Sequence, residues 1–305
     1  MTTTKYRGTS TLDYAAGMNR KIKFAFFGTT PLARGVLDEL AKHGFLPRLI
    51  VAGADRIDSR TKTILEPPEK VWAREHDIQV MQPESNAALL ETLKQSEWDL
   101  FVVASYGKIL SAEMLSLPKR GVLNVHPSLL PRLRGPSPIR SAIIRDERNT
   151  GVSIMLMDEE MDHGPLLAQK SVTPGEWPPR GAEFDELMAK EGGLLLAAMI
   201  PEWMNGNIEP RPQNHDLATY TEKIEKEDGL LDLRSDAYQN LLKMRAYEGW
   251  PGTYVYFERS GKKIRVAVVE AHLENGALVV DTVKPEGKRE MAYDEFLRSG
   301  AKPMR

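Results

Sequence analysis

One stretch near the start constrains the fold more than any other. Lys21 to Phe27 is a short, largely apolar strand that runs into Gly28-Thr29-Thr30-Pro31. Leu32, Val36, Leu37 and Leu40 follow at helical spacing, and Pro31 suits the first turn of that helix. Pro47 to Ala52 is a second apolar run. Strand, glycine turn, helix and strand in this order need a crossover, so the two strands lie parallel. Parallel sheets are covered by helices on both faces, and their strands read as unbroken apolar runs. Asp99–Ala104 and Gly121–Val125 are further runs of that kind. The fold class is therefore α/β, with a Rossmann-like, mostly parallel, doubly wound sheet. The Gly28 turn lacks G-x-G-x-x-G spacing, which argues against a dinucleotide site.

Other elements follow from pattern. Asp55 to Pro68 reads as a polar loop, with helices at Glu69–His76 and Asn86–Ser96 and a short strand at Gln79–Met81. Leu166–Val172 reads as a strand and Ala182–Met204 as a long helix. Asn205–Ala218 is rich in Pro, Asn and Gln and reads as a linker. Beyond it the texture changes to a helix at Asp236–Ala246, β runs at Gly252–Glu258, Lys262–Glu270 and Ala277–Val283, and a closing helix at Tyr293–Arg298. Short strands with polar turns at Ser260-Gly261 and Asn275-Gly276 fit a small C-terminal β-barrel, OB-like in character. The expected division is a flexible tail at 1–20, a main domain at 21–204, a linker at 205–217 and the barrel at 218–305.

Composition narrows the chemistry. There are no cysteines, which removes disulfides, thiolate metal sites and a cysteine nucleophile. With 41 basic and 43 acidic residues, any nucleic-acid contact must rest on local patches. The six histidines show no close metal-binding spacing. No apolar run is long enough to span a membrane.

Asn124 and His126 emerge at the carboxyl end of the Gly121–Val125 strand, and Asp162 sits beside Gly164-Pro165. Ligands bind outside the carboxyl ends of strands in such sheets, so Gly28, Tyr106-Gly107 and Asn124–His126 should share one rim. An amide donor, an imidazole and a carboxylate together suit the transfer of a carbonyl-level group. Taken singly, each has a plainer role as a cap, a structural histidine or a turn former.

Asn124-x-His126-x-Ser128-Leu129-Leu130-Pro131, then Arg134-Gly135, Pro138-Ile139 and Asp162-His-Gly-Pro165, resembles the signature of the folate-dependent formyltransferases. Phe26-Phe-Gly-Thr29 and Val103-Ala-Ser-Tyr-Gly-Lys108 extend the likeness. The resemblance implies formyl transfer from 10-formyltetrahydrofolate to an amine, with Asn124, His126 and Asp162 catalytic and no metal. It implies a folate site at Ser128, Leu129, Leu130, Pro131, Val102, Ala104, Tyr106, Gly107, Met157 and Met161. Thr219-Tyr220-x-x-Lys223, Trp250-Pro-Gly-Thr-Tyr254 and Pro285-Glu-Gly-Lys288 look like the branch of that family acting on methionyl-tRNA. That branch implies a cytoplasmic protein with initiator tRNA as partner, no membrane contact and no obligate protein partner. It points to Arg56, Arg60, Lys62, Lys223, Lys262 and Lys263 as tRNA contacts. His163 stands where the branch commonly carries a small residue, and residues 218–305 hold fifteen basic and fifteen acidic side chains. Two alternatives stay open: a formyltransferase for a nucleotide-linked amino sugar, which needs no grip on tRNA, and a non-catalytic folate- or RNA-binding protein. The three catalytic positions argue against the second, because binding alone does not need them.

Overall fold

The computed structural model describes residues 22–58 and 61–304. The expected tail at 1–20, and Arg60, lie outside them.

The described residues form two compact units. One comprises residues up to Arg134 with Gly151–Val172 and Asp185–Tyr220; the other comprises Gly135–Thr150, Thr173–Phe184 and the residues from Thr221 onward.

In chain order the first part runs β1 (Phe24–Gly28), α1 (Pro31–Lys42), β2 (Leu49–Val51), β3 (Arg56–Ile57), β4 (Ile64–Leu65), α2 (Pro68–Glu75), β5 (Gln79–Met81), α3 (Asn86–Lys94), β6 (Leu100–Ala104), α4 (Ala112–Leu115) and β7 (Val122–His126). Next come α5 (Pro138–Ile144), β8 (Thr150–Leu156), β9 (Leu166–Val172) and α6 (Gly181–Met204). The sheet order is β5-β2-β1-β6-β7-β8-β9. β1 pairs in parallel with β2 and β6, and β6 with β7, whereas β7 and β8 are antiparallel. All five residues of β1 and of β6 are buried, as strands covered on both faces require. The chain winds outward from β1 through β2 to β5, then returns to β6 on the other side of β1. This reversal is the topological switch point, and sheets of this class bind ligands there, outside the carboxyl ends of the strands. Thr29 Oγ1 donates to the Tyr106 carbonyl at 3.2 Å.

The segment expected as a polar loop, 55–68, holds the β3–β4 hairpin, in which Arg56 pairs with Leu65 and Ile57 with Ile64. Two-residue strands are too short to show alternation, so pattern could not reveal them. The segment read as a linker is hydrogen-bonded within the first unit: Leu166 and Arg211 exchange backbone bonds of 2.8 and 2.9 Å.

The second unit carries α7 (Ala237–Ala246), β10 (Thr253–Arg259), β11 (Lys262–Glu274), β12 (Ala277–Pro285), β13 (Met291–Ala292), α8 (Tyr293–Arg298) and β14 (Lys302–Pro303). Its five-stranded antiparallel sheet, order β13-β12-β11-β10-β14, is the small barrel-like unit expected. Val255, Phe257, Val266, Val268, Val283 and Phe296 make its core. β11 runs to Glu274, beyond the expected Glu270, because Asn275-Gly276 closes a tight hairpin with both residues at positive φ (49° and 79°).

Candidate active site

All five residues of β7 are buried, although two are polar: Asn124 is 9% exposed and His126 4%. Buried polar groups need partners, and these two find theirs outside the strand. Register sets Asn124 beside Val103 of β6, whose end Ala104 lies beside Gly28 of β1. The carboxyl ends of β1, β6 and β7 thus form one rim. After β8 the chain turns, and Asp162 comes back to Asn124.

Asn124 Nδ2 donates to Asp162 Oδ1 at 3.2 Å, and His126 Nδ1 lies 3.6 Å from the same oxygen. His126 Nε2 is 2.9 Å from the Leu133 carbonyl oxygen. A carbonyl only accepts, so Nε2 carries hydrogen, and in the neutral ring Nδ1 keeps its lone pair. That lone pair is directed to the Asp162 side. The arrangement supplies a second amide hydrogen on Asn124 Nδ2 for a developing oxyanion, a proton acceptor at Nδ1, and a carboxylate to steady an imidazolium.

Asp162 adopts a left-handed backbone, φ 50°, and Leu133 does so at φ 56°. Such residues typically cost about 1–3 kcal/mol and persist where their surroundings fix them. Gly164 is required sterically, since a Cβ there would meet the Leu156 carbonyl oxygen at 1.9 Å.

The expected folate residues divide by orientation. Ser128 is buried and donates to the Arg132 carbonyl at 2.6 Å. Leu130 is buried with Met155 and Leu166, half-buried Met157 packs against them, and the Leu130–Pro131 peptide is cis. Ser153 Oγ donates to the Ser128 carbonyl at 2.6 Å and accepts from Leu130 N at 3.0 Å and Gln169 Nε2 at 2.9 Å. Leu129 and Pro131 are half-buried, Gly107 is exposed and Met161 is 61% exposed. Val102 and Ala104 are fully buried in β6. Tyr106 turns its ring into the core against Phe27, and burial pushes its phenol up to about 12.

Arg56 and Lys62 are exposed on and beside the β3–β4 hairpin of the first unit. Lys223, Lys262 and Lys263 are exposed in the second, where Lys263 Nζ sits 3.7 Å above the Tyr256 ring.

Sequence reasoning missed Ser153, Gln169, Arg134, Gln213 and His215. Ser153 had a signal, a polar residue inside the apolar run Gly151–Leu156. Arg134 stood inside the motif without a role. It is 2% exposed, and its Nη2 donates to His215 Nδ1 at 2.8 Å. His215 stacks on His163 with ring centroids 4.1 Å apart, and His163 Nδ1 donates to Asp158 at 2.7 Å.

An amide, an imidazole and a carboxylate meeting at the switch point suit a group-transfer enzyme on a Rossmann-like sheet. The family profile described as "Formyl transferase" matches residues 20–174. The methionyl-tRNA formyltransferase of Chloroflexus aurantiacus is 38% identical over 266 residues, covering 86% of this chain and 84% of its own length. That of Halalkalibacterium halodurans is 35% identical over 300 residues, covering 91% and 94%. The chain belongs to the formyl transferase family, among the methionyl-tRNA formyltransferases.

Solved structures share the fold. Methionyl-tRNA formyltransferase from Clostridium thermocellum has a TM-score of 0.59 at 16% identity, over 87% of this chain and 98% of that one. The N-formyltransferase from Helicobacter canadensis has a TM-score of 0.62 at 17% identity, over 83% and 88%. Among the described residues no helix is long and apolar enough to cross a membrane.

Proposed function

We propose that this chain transfers the formyl group of 10-formyltetrahydrofolate to the α-amino group of methionyl-tRNA, with Asn124, His126 and Asp162 as the catalytic residues. The observation that carries the reading is the meeting of Asn124 and His126 at one oxygen of Asp162, in a chain related along most of its length to methionyl-tRNA formyltransferases.

The reaction then follows from the atoms. A free α-amine titrates near pH ~8, so a useful neutral fraction is present in neutral solution. Its lone pair attacks the formyl carbon, and the carbonyl electron pair moves to oxygen. Asn124 donates its second Nδ2 hydrogen to that oxyanion; one such donor is worth about 3–4 kcal/mol of barrier. The new C–N bond makes the amine acidic, and His126 Nδ1 takes its proton. The imidazolium is then paired with Asp162 Oδ1. Collapse of the tetrahedral species breaks the bond to N10, which receives the proton from Nδ1–H. The products are the formylated amine and tetrahydrofolate, with the enzyme in its starting state. The loop pinned by Ser153 and Gln169 forms one wall for the folate, with half-buried Leu129 and Pro131 as its accessible apolar faces. Arg56, Lys62, Lys223, Lys262 and Lys263 are the proposed phosphate contacts, and the natural setting of this activity is the cytoplasm.

The test is an acceptor comparison. Purified protein with 10-formyltetrahydrofolate should formylate Met-tRNA and leave nucleotide-linked amino sugars unmodified. Transfer to the sugar with none to Met-tRNA would overturn the assignment.

A further inference from the structure

We infer that Gln213 is a positioning residue that sets the distance between Asp162 and His126. The inference rests on the reading that Asp162 acts in formyl transfer, and it assigns a task to a segment whose composition suggests only a linker.

Gln213 is 5% exposed. Its Nε2 donates to the carbonyl of Asp162 at 2.9 Å and to that of Gly164 at 2.7 Å. Its Oε1 accepts from Arg134 Nε at 3.2 Å and Nη2 at 2.7 Å. The amide can face only one way, because a guanidinium only donates and carbonyls only accept. Both hydrogens of the amide nitrogen are therefore spent on the turn that carries Asp162. They grip the carbonyls on either side of His163, next to the left-handed φ of Asp162.

The other end of the amide is anchored to the opposite side of the site. Arg134 directly follows Leu133, whose carbonyl takes the Nε2 hydrogen of His126. Leu133 and Arg134 are themselves tied to the same strap, since Leu133 N donates to Thr219 Oγ1 at 2.9 Å and Arg134 N to the Thr219 carbonyl at 2.8 Å. His215 reinforces the grip by accepting from Arg134 and stacking on His163. Gln213 thus bonds both to the turn bearing Asp162 and to the loop holding His126.

No other side chain repeats this. Glutamate keeps the acceptor for Arg134 but has no hydrogen for the turn; asparagine is one methylene short. Gln213 touches no reacting atom in the proposed scheme, so its loss should loosen the Asp162–His126 geometry and spare substrate binding.

The experiment compares Gln213→Glu, Asp162→Asn and the double variant in steady-state formyl transfer to Met-tRNA, with thermal denaturation of each. Gln213→Met, similar in length and without an amide, takes the place of the Glu variant if that one does not fold. The expected result is a kcat lowered at least about tenfold by the Gln213 change, with both KM values within about twofold. In the Asp162→Asn background the same change should cost under about twofold more, because residues acting as a unit are not additive. A kcat near that of the natural chain overturns the inference, as does an undiminished loss in the Asp162→Asn background. If Asp162→Asn itself is fully active, the catalytic reading falls and takes this inference with it. If Asp162→Asn is impaired and the Gln213 variant is not, only this inference falls.

Discussion

Asn124 Nδ2 and Asp162 Oδ1 stand 3.2 Å apart although 38 positions separate them in the chain. The bond orients the amide, so that its second hydrogen has a fixed direction, and it holds one carboxylate oxygen beside His126. Each of the three residues therefore depends on another for its orientation.

Replacing Asn124, His126 or Asp162 by Ala should lower kcat at least about a hundredfold while the protein still folds. Single-turnover formyl transfer measures the effect directly. A rate within a few-fold of the natural chain for any one of them would remove that residue from the mechanism.

Ser153→Ala should strike the donor side. It leaves Leu130 N–H and the Ser128 carbonyl without the hydroxyl that joins them. Loss of a buried partner costs about 1–3 kcal/mol, read as a lower midpoint in denaturant. We expect KM for 10-formyltetrahydrofolate to rise several-fold, with KM for Met-tRNA unchanged; an unaltered folate KM would separate this loop from the donor site.

Glu69 gives a pH dependence of stability. It is fully buried at the start of α2, and burial pushes its carboxyl from 4.5 to about 7, against the pull of the Glu69 and Thr30 N–H groups and the Arg34 charge. The folded chain keeps its proton between these two values, whereas the unfolded chain has released it. Stability is therefore highest below pH 4.5 as far as this group is concerned, falls as pH rises to about 7, and then levels off, by about 3 kcal/mol in all. Glu69→Gln should remove that slope; urea midpoints of both proteins between pH 5 and 8 would show parallel curves if the carboxyl is not responsible.

Lys262→Glu with Lys263→Glu should raise KM for Met-tRNA and flatten its dependence on salt, each lost phosphate contact reducing the log–log slope by roughly 0.7–0.9. Formylation rates across a range of potassium chloride test this, and an unchanged slope places the contacts elsewhere.

Much of this protein could be read from its residues. Leu166–Val172 and Tyr293–Arg298 have the expected bounds, the first because Pro165 and Pro174 bracket it and the second because Ser299-Gly300 ends it, with Gly300 left-handed at φ 81°. Asn124 and His126 were visible as polar interruptions of an apolar strand. Gln213 was not. Its neighbours are Pro212 and Asn214, and composition of that kind describes a mobile connection as well as a strap whose polar groups are all spoken for. Only the partners distinguish the two, and Arg134 lies 79 positions away. The β3–β4 hairpin escaped for the opposite reason: its pairing is local but too brief to leave a pattern.

The left-handed backbone of Asp162 bears on how this activity can be lost. Asparagine is the residue that best shares that conformation with aspartate, and a single nucleotide change converts one to the other. Substitution there would leave the turn, the Gln213 bonds and the surrounding fold in place while removing the charge that steadies the imidazolium. A descendant of this chain could thus cease to be an enzyme in one step and keep its shape, surviving as a folded binder of the same ligands.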